Sequence, residues 1–117
     1  MDKLSLTISG YLNNPDSLYE EWYKKKLLRE VGLTEGEFTR VLPSIEKIKE
    51  LFNTTLQALK ETICIEWGYS QKRIQYSDDI ELIKDLANNL STITDIDFPI
   101  YVATLAFISG LDTLCFQ

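Results

Sequence analysis

The residues best suited to chemistry in this chain are carboxylates: Asp78, Asp79, Glu81 and Asp85, followed by Asp95 and Asp97. Glu81 and Asp85 are four apart, so on a helix they share a face, and with Asp78 they could hold a magnesium ion bound to a phosphate substrate. The reaction would be metal-assisted hydrolysis of a phosphoanhydride. A plainer account covers the same residues: Asp78, Asp79 and Glu81 suit the start of one helix and Asp97 the start of the next, where negative charge complements the helix dipole. The plainer account is preferred, because caps and solvated faces leave no carboxylate unexplained.

The enzyme precedent for the first reading is a helical pyrophosphohydrolase with paired carboxylates on facing helices. The chain lacks the repeated Glu-x-x-Glu pairs and matching third acidic position of those enzymes. A magnesium-dependent nucleotide pyrophosphohydrolase is therefore kept only as an alternative. Nucleophilic catalysis has less support. With no histidine anywhere, a serine or cysteine would need a lysine or the N-terminal amine as its base, and neither Cys64 nor Cys115 sits in an electropositive motif. The same lack of histidine, together with only two cysteines in no CxxC spacing, argues against zinc. No catalytic residue and no cofactor is assigned.

Two basic groups and two aromatic groups are candidates for binding. Lys24, Lys25, Lys26 and Arg29 could touch anionic lipid or phosphate, or nucleic acid within an assembled complex, although only Lys25 and Arg29 share a helical face. A solvated face explains them more simply. Lys72 and Arg73, beside Tyr69 and Tyr76, form a small connector that could meet an acidic group on a partner. Tyr19, Trp22 and Tyr23, and again Trp67, Tyr69 and Tyr76, could anchor an interface. Trp22 and Trp67 lie on aliphatic stripes and are read as core.

Composition sets the frame for these residues. A chain of 117 residues with 44% apolar content is expected to fold as one domain over residues 1–117. Formal charge is −6. The acidic groups divide evenly between the halves of the chain while most basic groups precede residue 60, so the C-terminal half holds most of the excess. Direct nucleic-acid binding is disfavoured, and a basic protein surface is the better electrostatic match. An acidic nucleic-acid mimic that inhibits its target is one form of that idea. The two cysteines, flanked by apolar residues, are expected to be free buried thiols in a cytoplasmic protein, and no secretory leader is read at the N-terminus.

The elements that must position these groups follow from periodicity and caps. Residues Lys3 to Ser9 alternate like a strand, yet Leu4, Ile8, Tyr11 and Leu12 share a helical face, and residues 1–14 are taken as a short helix or ordered arm. After a turn at Asn13 to Asp16, Tyr19, Trp22, Tyr23, Leu27 and Val31 recur at helical spacing, with Gly32 as the stop. Thr34 and Glu37 form a capping box with Leu33 and Phe38 as its hydrophobic staple. From Pro43, placed in the first turn, the stripe Ile45, Ile48, Phe52, Leu56, Leu59, Ile63, Trp67 advances by about 3.67 residues per turn. It predicts one long helix ending at Gly68, its apolar face widened by Leu51, Ala58 and Ile65. Ser77 or Asp78 caps a further helix to about Ile93, with Glu81 completing a capping box if the cap is Asp78, and Pro99 opens the last one.

That last segment, Phe98 to Phe116, is the most apolar stretch, with Asp112 as its one charge. Its charge-free run stops at Leu111, short of the about 20 apolar residues of a membrane-spanning helix, so it is read as buried and no membrane association is expected. If the monomer leaves Tyr101, Leu105, Ile108 and Cys115 uncovered, they are candidate partner contacts, along with Tyr69, Lys72 and Arg73. The expected fold is all-α: a single-domain bundle of four to five helices, with one long central helix (about 43–67) and an apolar C-terminal helix. The expected function is that of a small, non-catalytic protein–protein interaction module, an adaptor, inhibitor or accessory subunit, acting through a protein partner or self-association. A small helical subunit of a nucleoprotein complex is the remaining alternative.

Overall fold

A computed structural model describes residues 2–31, 42–92 and 98–116, with residues 29–31 described as backbone only. Every regular element among the described residues is helical: α1 (Lys3–Asn13), α2 (Pro15–Val31), α3 (Ile45–Ala58), a π-helical turn (Thr62–Glu66), α4 (Tyr69–Gln75), α5 (Asp79–Thr92), α6 (Pro99–Ser109) and α7 (Leu111–Cys115). The all-α expectation stands. The capping box at Thr34, its staple and Gly32, and the carboxylates Asp95 and Asp97, lie outside the described residues.

The competition between strand and helix at the N-terminus goes to the helix. The Asp2 carboxylate accepts the Ser5 backbone N–H at 2.7 Å and starts α1. Ile8 is then buried and Leu4, Tyr11 and Leu12 pack on the core, whereas Leu6, which the alternating pattern would have buried, is 60% exposed. Lys84 of α5 fastens this helix down, its ammonium lying 2.9 Å from Asp2 Oδ2 and 3.2 Å from Ser5 Oγ.

The long helix expected over 43–67 is divided, and its start is corrected as well. Ser44 is the cap, accepting the Lys47 N–H at 3.3 Å, so Pro43 lies just before the helix and not in its first turn. After Ala58 the Leu59 N–H bonds to the Leu56 carbonyl, three residues back, and the Trp67 N–H later bonds to Thr62, five residues back. One tight turn and one wide turn nearly cancel in phase, which is why the apolar stripe reads as a single straight helix. The stripe itself is real, since Ile48, Phe52, Leu56, Ile63 and Trp67 are all buried. The widening residues are not part of it: Leu51, Ala58 and Ile65 are exposed.

The apolar C-terminal segment is likewise two helices. Gly110, at φ 105°, turns the chain from α6 into α7, and an L side chain rarely adopts that conformation. Helix α6 is the centre of the fold: Val102 through Ala106 are all buried, as expected of a helix that is apolar on every side. Its cover comes from α1, α2, α5 and α7, whereas α3 packs principally on α2. Thr104, buried inside α6, donates to the Ile100 carbonyl at 2.7 Å, and Tyr19 of α2 shares a hydrogen bond with Ser109 at 2.8 Å. No described helix is long and apolar enough to cross a membrane.

Candidate interaction surface

Gly68, at φ 81°, ends the π-turn and redirects the chain into α4, as its place in the sequence suggested. The turn sets Tyr69, Lys72 and Arg73 against the rest of the domain. On one side the Asp85 carboxylate of α5 receives the Trp67 indole N–H at 3.3 Å and the Lys72 ammonium at 3.2 Å. Burial alone would push the Asp85 carboxyl up, but hydrogen bonds from Tyr76, Trp67 and Lys72 together hold it below the ordinary carboxylate value. On the other side Asp112 of α7 accepts both the Tyr69 hydroxyl and the Arg73 guanidinium at 2.6 Å. The Tyr69 bond, followed by that from Arg73, keeps the Asp112 carboxyl low in turn.

Next to these contacts lies a covalent one. Cys64 of the π-turn and Cys115 of α7 form a disulfide, with Cα atoms 5.4 Å apart. This corrects the expectation of free thiols. The sequence offered no spacing signature for the pair, because its members are brought together only when α7 folds back on the π-turn. Rings complete the junction. Tyr69 lies 6.4 Å from Trp67 in a stacked arrangement and 5.9 Å from Phe116, and the Arg73 guanidinium sits 5.6 Å from the Phe116 ring.

The junction carries an open groove of about 550 Å³ along the disulfide, lined among others by Ala58, Glu61, Ile65, Ser70 and Phe116. Ile65 is 73% exposed and Phe116 55% exposed on its walls. A third large apolar side chain, Ile74 of α4, is 79% exposed. Isolated exposed apolar residues are ordinary, but two on one groove, fixed by a disulfide and a paired carboxylate, form a preorganised apolar surface.

The residues expected to bind a partner are distributed unevenly over this surface. Leu105 is fully buried within the monomer by the helices around α6. Tyr101 and Ile108 are half-buried, and Tyr101 belongs to a different part of the molecule. Cys115 does line the groove, but as half of the disulfide. Tyr69 is buried except for the polar contact its hydroxyl makes. Lys72 and Arg73 already hold the internal carboxylates Asp85 and Asp112, so part of their charge is satisfied within the domain. Sequence reasoning passed over Asp112, Ile65 and Phe116. Asp112 stands out in the sequence as the lone charge of its apolar run, but its partners Tyr69 and Arg73 are set by the fold.

The carboxylates of the metal reading are committed elsewhere. Asp78 accepts the Ile80 N–H at 2.8 Å, Glu81 lies 3.3 Å from the Lys84 ammonium, and Asp85 serves the junction just described. Among the described residues no group of three His, Cys, Asp or Glu side chains is placed to hold a metal ion. Of the basic run, Lys26 lies 5.8 Å from the Trp22 ring.

These charges predict a pH dependence. Asp2, held low chiefly by Lys84 and then by the Ser5 N–H, joins Asp85 and Asp112 in having a folded pKa below 3.8. As pH falls the unfolded chain takes up protons first, so the stabilisation is complete above about pH 5 and is lost as pH drops from there through the folded values. Urea unfolding from acid to neutral pH is expected to show stability rising with pH and then levelling, with a shallower rise in Asp85→Asn. A slope unchanged in that variant would remove Asp85 from the account.

Compared with known proteins, the chain matches no protein family, no curated protein and no solved structure.

Proposed function

We propose that this chain is a non-catalytic helical interaction module whose docking surface is the groove beside the Cys64–Cys115 disulfide, and that its occupant is an amphipathic helix on a basic partner protein. The observation that carries the reading is the pair of large apolar side chains, Ile65 and Phe116, exposed on a groove whose walls are cross-linked. Apolar anchors seated on a rigid surface are the usual centre of a helix-in-groove interface. Charge selects the partner. Two copies at −6 each repel, whereas a basic surface is attracted, so a hetero-complex is favoured over a homodimer. Adaptor, inhibitor and accessory subunit all fit this description.

The disulfide also bears on where the module works. Such bonds persist in oxidising surroundings. The cytoplasmic expectation rested on free thiols and is not carried forward, and an oxidising compartment is the proposed setting. The magnesium-dependent hydrolase is less supported because Asp78 caps a helix and Glu81 and Asp85 pair with cations of the domain.

The test compares a designed Leu–Lys amphipathic helix with its Leu–Glu counterpart by titration calorimetry. Binding is expected for the Leu–Lys peptide alone, weakening with salt. The double variant Ile65→Ser, Phe116→Ser is expected to reduce it by at least about tenfold, since two anchors of roughly 1 kcal/mol or more each are removed. It leaves the net charge unchanged, so equal binding by that variant would show that attraction is only electrostatic and would overturn the assignment of the groove.

A further inference from the structure

A second concavity lies on a different part of the molecule and is built differently. It is a shallow, open hollow of about 280 Å³ where α1, α2 and the start of α6 meet, lined by Thr7, Tyr11, Lys25, Phe98, Ile100 and Tyr101, with Pro99 between them. Three of its walls are rings. Tyr11 and Tyr101 meet edge to face at 5.5 Å, and Phe98 lies tilted against Tyr101 at 6.0 Å. Burial, followed by the adjoining Tyr101, raises the Tyr11 phenol above its ordinary pKa, so the ring bears no charge at neutral pH.

Two features set this hollow apart from a packing defect. The first is Phe98, the one described non-glycine residue with positive φ, at φ 57° and ψ 57°. A bulky residue rarely adopts the left-handed conformation, and where it does the surrounding structure is holding it there, often at a functional site. Here the conformation places an aromatic ring against the pocket at the point where Pro99 begins α6. The second is Lys25, the single charged residue on the lining. It forms no ion pair or hydrogen bond with any described residue. Glu21, one turn earlier on α2, is exposed, and its charge and that of Lys25 act on the Tyr11 phenol in opposite directions. An apolar hollow with one convergent polar group is the usual form of a small-molecule site, the apolar walls giving affinity and the charge giving orientation.

We propose that this pocket binds a small aromatic carboxylate, its ring against Tyr11, Phe98 and Tyr101 and its carboxylate paired with the Lys25 ammonium. Lys25 is the charged residue on the lining, so an anion is preferred over an uncharged molecule of the same shape. The site is separate from the groove at the disulfide, and neither proposal depends on the other.

The test uses 4-phenylbutyrate and its uncharged analogue 4-phenylbutan-1-ol, titrated into the oxidised full chain and followed by amide chemical shifts. Shifts are expected at Thr7, Tyr11, Lys25 and Tyr101, with the carboxylate binding about tenfold more tightly than the alcohol, as suits one charge-assisted contact at a half-exposed site. Lys25→Gln is expected to remove that tenfold preference and leave the alcohol as it was. Thr7→Trp, placed on the half-exposed wall of α1, is expected to fill the hollow and abolish both, with an unchanged circular dichroism spectrum showing that the fold is kept. Equal binding of acid and alcohol, a preference that survives in Lys25→Gln, shifts centred elsewhere, or no binding at millimolar concentration would each overturn the proposal.

Discussion

Replacing Cys64 and Cys115 by alanine is expected to lower the unfolding free energy by about 3 to 4 kcal/mol and the melting temperature by roughly 12 to 16 °C for a domain of this size. The magnitude comes from chain topology. The bond joins residues 51 apart, and closing a loop of that length removes much of the freedom of the unfolded chain. The other supports of α7 are the buried Leu111 and Leu114 and the contacts of Asp112 and Phe116 with α4. The Arg73–Asp112 pair is more than half exposed on both sides, and exposed ion pairs contribute only about 0 to 1 kcal/mol. Amide exchange in Leu111–Cys115 is therefore expected to rise more than in α6. Calorimetric melts with and without reductant, beside the double variant, provide the measurement. An oxidised protein that melts at the same temperature as the reduced one would refute the account, and alkylation without reductant would show that the bond is absent. Loss of peptide binding in the double variant would further show that the groove needs its cross-link.

What was legible in the sequence was local chemistry. The turn at Asn13 to Asp16, the helix starts at Asp78 and Pro99, and the stop at Gly68 depend on one or two neighbouring residues, and each lies at or beside the boundary it marks. The stripe from Ile48 to Trp67 was legible for the same reason, since burial on one face repeats with the helical period. What escaped was whatever depends on tertiary approach. The tight turn at Leu59 and the wide one at Thr62–Glu66 are differences in hydrogen bonding that leave the apolar spacing nearly unchanged. The disulfide and the Asp112 contacts need α7 to turn back at Gly110, and nothing in the spacing of Cys64, Tyr69, Arg73 and Asp112 foretells it. Lys72 and Arg73 show the consequence for the site: their type suggested a partner's carboxylate, and the fold supplied two of its own.

Phe52→Ala is expected to cost about 3 to 5 kcal/mol, the usual range for deleting a fully buried phenylalanine. Phe52 is fully buried on α3 and receives ring edges from two residues of α2, Tyr19 at 5.8 Å and Trp22 at 5.1 Å. Helix α3 packs principally on α2, and this aromatic cluster lies in that interface beside the buried Leu18 and Ile48, whereas the Lys49–Asp16 pair that spans the two helices at 3.4 Å is about half exposed. Loss of the ring therefore loosens α3, the helix that precedes the π-turn carrying Cys64. Urea unfolding checks the value, with Phe52→Leu as a companion expected to lose much less because most of the volume is retained. Equal losses in the two variants would point to ring-specific contacts in place of a cavity. The sum of this loss and that of the disulfide approaches the whole stability of an ordinary domain, about 5 to 15 kcal/mol. A chain carrying both sets of changes is therefore expected to be largely unfolded. Ile65 and Phe116 are exposed, so their change to serine is expected to cost far less than either of these losses, and a melting temperature close to that of the parent chain would assign a loss of binding in that variant to the surface and not to the fold.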